Sequence, residues 1–469
     1  MVPVHASALA KHTSGVERLL ASYRSIPATA SVRLAKPTSN LFRARTKRDA
    51  HGLDISGLTN VISVDPEAST ADVAGMCTYE DLVAATLPYG LSPLVVPQLK
   101  TITLGGAVSG LGIESASFRN GLPHESVLEM DILTGAGELL TVSPDQHRDL
   151  YRAFPNSYGT LGYSTRLRIE LEPVAPFVAL RHIRFHSLPE MISAMERIID
   201  TGGRDGVPVD YLDGVVFSTG ESYLCVGKHT TTPGPVSDYT GQRIYYRSIQ
   251  HDAGSPGVEG VKEDRLTIHD YLWRWDTDWF WCSRAFGAQN PRLRRWWPRR
   301  YRRSSVYSKL VAADQRFGIA DRIEKRKSGL RSQPPRERVV QDVELPIERT
   351  REFLEWFLAT VPIEPIWLCP LRLRDHEGWP LYPIRPGRTY VNIGFWSSVP
   401  AGETEGATNR TIEAKVSELD GHKSLYSDSF YTRDEFDELY GGEAYNTVKK
   451  TYDPDSRLLD LYAKAVQRR

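Results

Sequence analysis

At 469 residues and 41% hydrophobic side chains, the chain is long enough for two or three domains with real cores. Lys plus Arg and Asp plus Glu each total 58, so no net charge draws it to nucleic acid or any other polyanion. Cys77, Cys225, Cys282 and Cys369 form no close pair and no zinc spacing, which argues for a reducing compartment and against a structural metal. The opening "MVPVHASALAKHTSGVERLL" has no continuous apolar core of the signal-peptide kind, and no window approaches 18 consecutive apolar residues. The expectation is a soluble cytoplasmic enzyme.

In chain order, Asn60–Asp65 ("NVISVD") reads as a strand with turn residues "PEAST" behind it. "TYEDLVAATLPYG" reads as a helix capped by Thr78, boxed by Asp81 and terminated at Gly90. The apolar "LSPLVVP" follows, then Thr101–Gly121, "TITLGGAVSGLGIESASFRNG", with five glycines. Glycine inside an element costs roughly 0.5–1 kcal/mol relative to alanine. Such a cluster is either a plain surface loop or backbone whose bare N–H groups lie against a phosphate-bearing ligand. "SVLEMDILTGAGELLTVS" reads as a β-hairpin, "GTLGYS" as another Gly-rich entry, and Thr165–Leu171 as an alternating strand, with Pro173 and Pro176 marking a boundary.

Beyond it, "LPEMISAMERIIDT" is an amphipathic helix, and "YLDGVVFS" and "SYLCVGKHT" pair as a hairpin. An Arg- and Trp-rich segment spans 271–303, and Glu324–Arg338 ("EKRKSGLRSQPPRER") reads as a mobile loop. "VVQDVELP", "PIWLCPLRLR" and "TYVNIGFW" are strands, "IERTREFLEWFLATV" a helix, and two tyrosine-rich helical runs end the chain. The boundaries this implies are 1–176, 177–425 and 426–469. Gly110-Leu111-Gly112-Ile113-Glu114-Ser115 lacks the last glycine of a dinucleotide fingerprint, and there is no Walker A lysine.

The order "VDP…TYEDL…TLGG…GTLG" resembles the PCMH-type FAD-binding domain of the vanillyl-alcohol oxidase superfamily. "GLGIESASFRNGL" and "DLYRAFPNSYGTLGY" are similar to the Δ24-sterol reductases, and so are "VVQDVELP", "PIWLCPLRLR", "VNIGFW" and "LYSDSFYTRDEFDELYGG". Eukaryotic members carry an N-terminal anchor that this chain does not show. It resembles more closely the soluble bacterial enzymes that reduce 10-methylene fatty acyl chains to 10-methyl ones in tuberculostearate-type lipid synthesis.

The resemblance implies an α+β fold: an FAD domain of two α+β subdomains, an α+β cap with an antiparallel sheet, and a C-terminal helical segment packing back on the FAD domain. It places Lys36, Pro37, Thr38, Ser39 and Asn40 in the first pyrophosphate loop, and Thr103, Gly105 and Gly106 on the diphosphate. Gly110, Gly112, Ile113, Glu114 and Ser117 would face the ribityl and ring region, and Gly162 and Tyr163 the adenine half. "RLAKPTSNLFR" has no His, Cys or Tyr, so non-covalent FAD is expected there. The implied reductant is NADPH or NADH, the implied substrate a lipid acyl chain or a Δ24 sterol, and the implied partner the methyltransferase that makes the methylene group.

Alcohol and aldonolactone oxidases of the superfamily resemble one another in a His-Trp-Gly-Lys motif. Here the matching region reads Ser424–Phe430, "SLYSDSF", with His422 and Lys423 adjacent. An isolated alkene instead needs a positioned acid that protonates the less substituted carbon, and apolar walls around the cation so formed. Alternation in "VVQDVELP" puts Val340, Asp342 and Glu344 on one strand face. The resemblance implies a carboxylate on a cap strand near the flavin ring, which makes Asp342 the first candidate acid. The alternative is an exposed Asp342–Glu344 pair. Tyr426 and Asp428 are the second candidates.

The stretch Tyr271–Arg303 holds six of ten tryptophans, and "PRLRRWWPRRYRR" seven arginines. It reads as a helix pair with tryptophans inside and arginines in water. Alternatively Trp296 and Trp297, flanked by Arg294, Arg295, Arg299 and Arg300, meet an anionic membrane.

Overall fold

The computed structural model describes residues 3–36, 42, 50–241, 243–251, 260–286, 288–307, 309–310 and 335–468. Short β-branched runs cut by turn residues build its first half. Val32–Leu34 (β1) pairs in parallel with His51–Leu53 (β2). Val61–Asp65 (β3), Thr70–Ala74 (β4), Leu91–Pro93 (β5), Val127–Leu133 (β6), Leu139–Val142 (β7) and Tyr163–Pro173 (β8) form one sheet. Its order is β3-β4-β8-β6-β7, with β5 also on β8, and every pairing is antiparallel. A parallel dinucleotide-binding sheet is thereby excluded. Thr78 caps the helix Tyr79–Thr86 as expected, accepting from the Asp81 N–H at 3.2 Å, and Gly90 takes the left-handed conformation after it.

The helix Pro3–Ser25 carries no strong signal in the sequence, and it buries Leu19 and Tyr23. Arg457, near the other end of the chain, clasps the segment after it. Its guanidinium donates to the carbonyls of Ile26, Pro27 and Ala30, lies 4.2 Å over the Tyr23 ring, and its own carbonyl accepts from Val32.

A second sheet follows. Phe177–Phe185 (β9) precedes a two-stranded ribbon of Gly203–Arg204 (β10) and Val207–Pro208 (β11). Tyr211–Ser218 (β12), Glu221–Thr230 (β13), Glu263–Thr267 (β14), Arg336–Pro346 (β15), Ile366–Leu371 (β16), Tyr390–Pro400 (β17) and His422–Lys423 (β18) complete it. The order is β14-β9-β13-β12-β16-β17-β15-β18, antiparallel throughout. The architecture is α+β.

Period-two alternation divides this sheet into two faces. Val339, Val343, Leu345, Leu368, Ile393 and Phe395 pack under the helices Leu188–Thr201 and Ile347–Thr360, with the Phe357 and Phe395 rings 4.4 Å apart. Val340, Trp367, Cys369 and Trp396 point the other way, into the core shared with the first sheet. Asp342 lies on that second face.

Two expectations need correction. Residues 324–334 of the expected mobile loop lie outside the described residues, whereas Arg336–Arg338 open β15. The Arg/Trp segment is a run of short turns rather than a helix pair: helical pieces Ile268–Leu272 and Pro291–Trp296, and 3-10 turns Cys282–Phe286 and Arg299–Tyr301. Between them Trp279, Phe280 and Trp281 sit at φ 50°, 47° and 59°, three consecutive non-glycine residues in the left-handed region. Nor are the arginines all in water, since Arg294 and Arg302 are buried. Among the described residues no helix is long and apolar enough to cross a membrane.

Candidate functional site

The two sheets and the aromatic turns surround a cavity of about 650 Å³, in the middle of the range of ligand-site volumes. Most candidate residues converge on it. Lys36, Thr103, Gly105, Gly106, Gly110, Gly112, Ile113, Glu114, Gly162 and Tyr163 line it from the first sheet's side, and Asp342 and Tyr426 from the second. Ser117 does not: it is buried behind the wall, where its Oγ accepts the Glu114 N–H at 3.0 Å. Pro37, Thr38, Ser39 and Asn40 lie outside the described residues.

The glycines have local causes. A Cβ on Gly105 would collide with Ser164 Oγ, and one on Gly106 would stand 2.8 Å from Thr103 Oγ1. Thr103 caps the helix Leu104–Gly110 by accepting from the Gly106 N–H at 3.2 Å, and it also accepts from Lys36 Nζ at 3.1 Å. A cation, a hydroxyl and glycine backbone thus meet in one part of the cavity wall, a donor set suited to an anionic group of a ligand.

Glu114 lies further along. It accepts the Gln98 N–H at 2.9 Å and the Gln98 side-chain amide, and burial pushes its carboxyl up to about 8 against these bonds. It faces the cavity as a neutral acid at pH 7.

Asp342 stands on β15 opposite Gly394 of β17. A Cβ on Gly394 would collide with Asp342 Oδ1, so the glycine makes room for the carboxyl. Asn392 Nδ2 donates to that oxygen at 3.3 Å, Tyr426 is hydrogen-bonded to the same carboxyl, and Trp396 Nε1 donates to Tyr426 Oη at 2.9 Å. Asp342 is part-buried and lines the cavity. Burial raises it to about 6, with the Asn392 and Tyr426 bonds opposing.

The alternative of an exposed Asp342–Glu344 pair is excluded. Glu344 is fully buried, accepts from Ser424 Oγ at 2.7 Å and lies 3.3 Å from His422 Nε2. Burial raises Glu344 well above the usual carboxylate range and lowers His422 to about 3, so both are neutral. Asp428 is also corrected: it faces Arg338 at 2.9 Å and Arg468 at 3.6 Å and does not line the cavity. His422 and Lys423 turn away too, Lys423 into a buried pair with Glu413 at 2.7 Å. Of that stretch only Ser424 and Tyr426 reach the cavity.

Sequence reasoning missed the cavity's aromatic wall of Trp279, Phe280, Trp367 and Trp396. Phe280 packs on Trp396 with centroids 4.8 Å apart and on Trp367 at 5.3 Å. Cys282 is beside them, its thiol pushed up to about 12 by burial and hence protonated.

Residues 27–143, which carry the cationic and glycine-rich wall, match the model of the FAD binding domain. The chain carries an FAD-binding domain. Over 415 residues it is 24% identical to the Δ24-sterol reductase of Mus musculus, covering 87% of this chain and 76% of that protein. The Δ24-sterol reductase of Arabidopsis thaliana is 25% identical over 459 residues, 89% of this chain and 77% of the relative. Cytokinin dehydrogenase 2 of Oryza sativa subsp. japonica is 35% identical over 162 residues, 33% of this chain and 28% of that one. With this domain and these relatives, the chain is an FAD-dependent oxidoreductase.

Proposed function

We propose that the protein is a reductase of an isolated carbon–carbon double bond in a lipid, of the Δ24-sterol reductase type. The observation that carries this reading is Asp342: a carboxyl whose hold on its proton burial raises to about 6, so that it is a proton donor in mild acid, lining an aromatic-walled cavity. The two long relatives are named for the Δ24-sterol bond, which supports a sterol side chain over a 10-methylene acyl chain.

FAD, when bound, supplies the hydride, and NADPH is the proposed donor that restores it. Lys36, Thr103 and the bare backbone at Gly106 would hold the diphosphate. Asp342 gives its proton to the less substituted alkene carbon, and the neighbouring tertiary carbon takes the hydride, so the bond gains two hydrogens in all. Tyr426, fixed by Trp396, orients the carboxyl and stabilises it once ionised. Phe280, Trp367 and Trp396 line the cavity and would exclude water from the developing cation. The absence of His422 and Lys423 from the cavity supports reduction over alcohol oxidation.

The test is anaerobic reduction of the flavoprotein by NADPH, followed by a Δ24 sterol or a 10-methylene lipid. Reoxidation by the sterol is expected. Reoxidation by the methylene lipid alone overturns the substrate class, and oxygen consumption with alcohols overturns the reaction.

A further inference from the structure

Pro291–Arg303 contains seven arginines and no acid in a chain of zero net charge. The structure sorts them. Arg294 turns inward to Asp278 at 3.0 Å and to the carbonyls of Tyr239, Gly241 and Arg243. Arg302 donates to the carbonyls of Gly241, Arg294 and Trp297. These two fasten the segment to the body. Arg299 pairs with Asp238 at 2.9 Å and Arg303 with Glu80 at 2.6 Å. Arg292, Arg295 and Arg300 stay exposed, and among the described residues none has a carboxylate partner.

Three large apolar side chains stand among them: Leu293 is 54% exposed, Tyr301 43% and Trp296 82%. Leu293 and Trp296 share a face of the helical piece at i, i+3, and Arg292 and Arg295 flank it. Trp297, expected to dock beside Trp296, is half-buried and meets Tyr307 in a tilted contact with ring centroids 6.2 Å apart. Tyr307 stacks on Trp279 at 6.5 Å, and Trp279 lines the cavity. A file of rings therefore joins this face to the cavity wall.

We propose that the face built by Arg292, Leu293, Arg295, Trp296, Arg300 and Tyr301 seats the protein on an anionic bilayer surface. A nucleic acid would satisfy the arginines and leave Leu293 and Trp296 in water. A bilayer interface takes both, because indole prefers the headgroup level and guanidinium the anionic headgroups. Clustering distinguishes this patch from the isolated exposed apolar residues that any surface carries. The inference is independent of the substrate assignment, since its test uses no substrate.

The experiment is flotation of the FAD-loaded full chain with phosphatidylglycerol/phosphatidylcholine vesicles and with pure phosphatidylcholine. Binding to the anionic vesicles, weakened by salt, is expected. Arg292→Glu/Arg295→Glu/Arg300→Glu should lower partitioning about a hundredfold or more. Trp296→Ala/Leu293→Ser should weaken what persists at high salt. Flavin content and melting temperature verify that both variants fold. A parent that does not float, variants that float like the parent, or a parent that binds duplex DNA and not vesicles would each overturn the proposal.

Discussion

Asp342 is held at a pKa where its proton can be given up, and the sign of its pH dependence follows. A carboxyl raised to about 6 is protonated below that pH and loses its proton as the pH climbs through it. Alkene-driven reoxidation should be level in acid and fall about tenfold per pH unit above pH 6. Asp342→Asn should remove that dependence and slow reoxidation by ~10²–10⁴-fold, while reduction by NADPH stays unchanged; stopped-flow absorbance separates the two halves. Gly394→Ala should slow the same half-reaction, because its Cβ strikes both the Asp342 carboxyl oxygen and the Trp396 ring. Strand alternation gave Asp342 its face but could not separate it from Glu344, which shares that face and stays buried off the cavity. Gly394 was not legible, since its reason lies in cross-strand register. Asp428 misled because "SLYSDSF" has no period, and the arginines that claim it come from distant parts of the chain.

The glycine-rich stretch and the aromatic turn are opposite solutions to building a cavity wall. The first is legible, since glycine clusters have few other causes. Gly106→Val should abolish FAD retention, read as the 450 nm to 280 nm absorbance ratio after gel filtration, because the branched side chain strikes Thr103 beside Lys36. The second is not legible: nothing in "WFW" announces left-handed backbone, which costs about 1–2 kcal/mol per residue. The surrounding rings offset it, with Trp281 5.2 Å from Trp396 and 6.1 Å from Trp275. Trp281→Gly relieves one residue of strain but forfeits a buried indole worth ~3–5 kcal/mol. The net expectation is a loss of about 2 kcal/mol in urea unfolding, and a loss at the full ~3–5 kcal/mol of the buried indole would show that the turn is unstrained.

The α+β class and the antiparallel sheets follow from patterns that a sequence carries, alternation and turn chemistry. The Pro3–Ser25 helix was missed because its apolar stripe is weak and tertiary packing decides it. The absence of His, Cys and Tyr from 33–43 predicts that acid precipitation releases all the flavin as free FAD, with a colourless pellet. The Arg457 clasp bears on how the molecule is made. Ribosomes make the Tyr23–Val32 segment well before Arg457, yet four of its anchoring interactions, to Ile26, Pro27, Ala30 and Val32, come from that residue, 430 positions beyond Pro27. Such distant contacts form slowly, and domains completed late leave their partners waiting in the nascent chain. Capture of FAD should therefore wait for synthesis of Arg457: chains stalled on the ribosome at residue 452 should already hold the sheet of β3–β8 yet retain no flavin, and release of a chain extended through residue 469 should start the uptake.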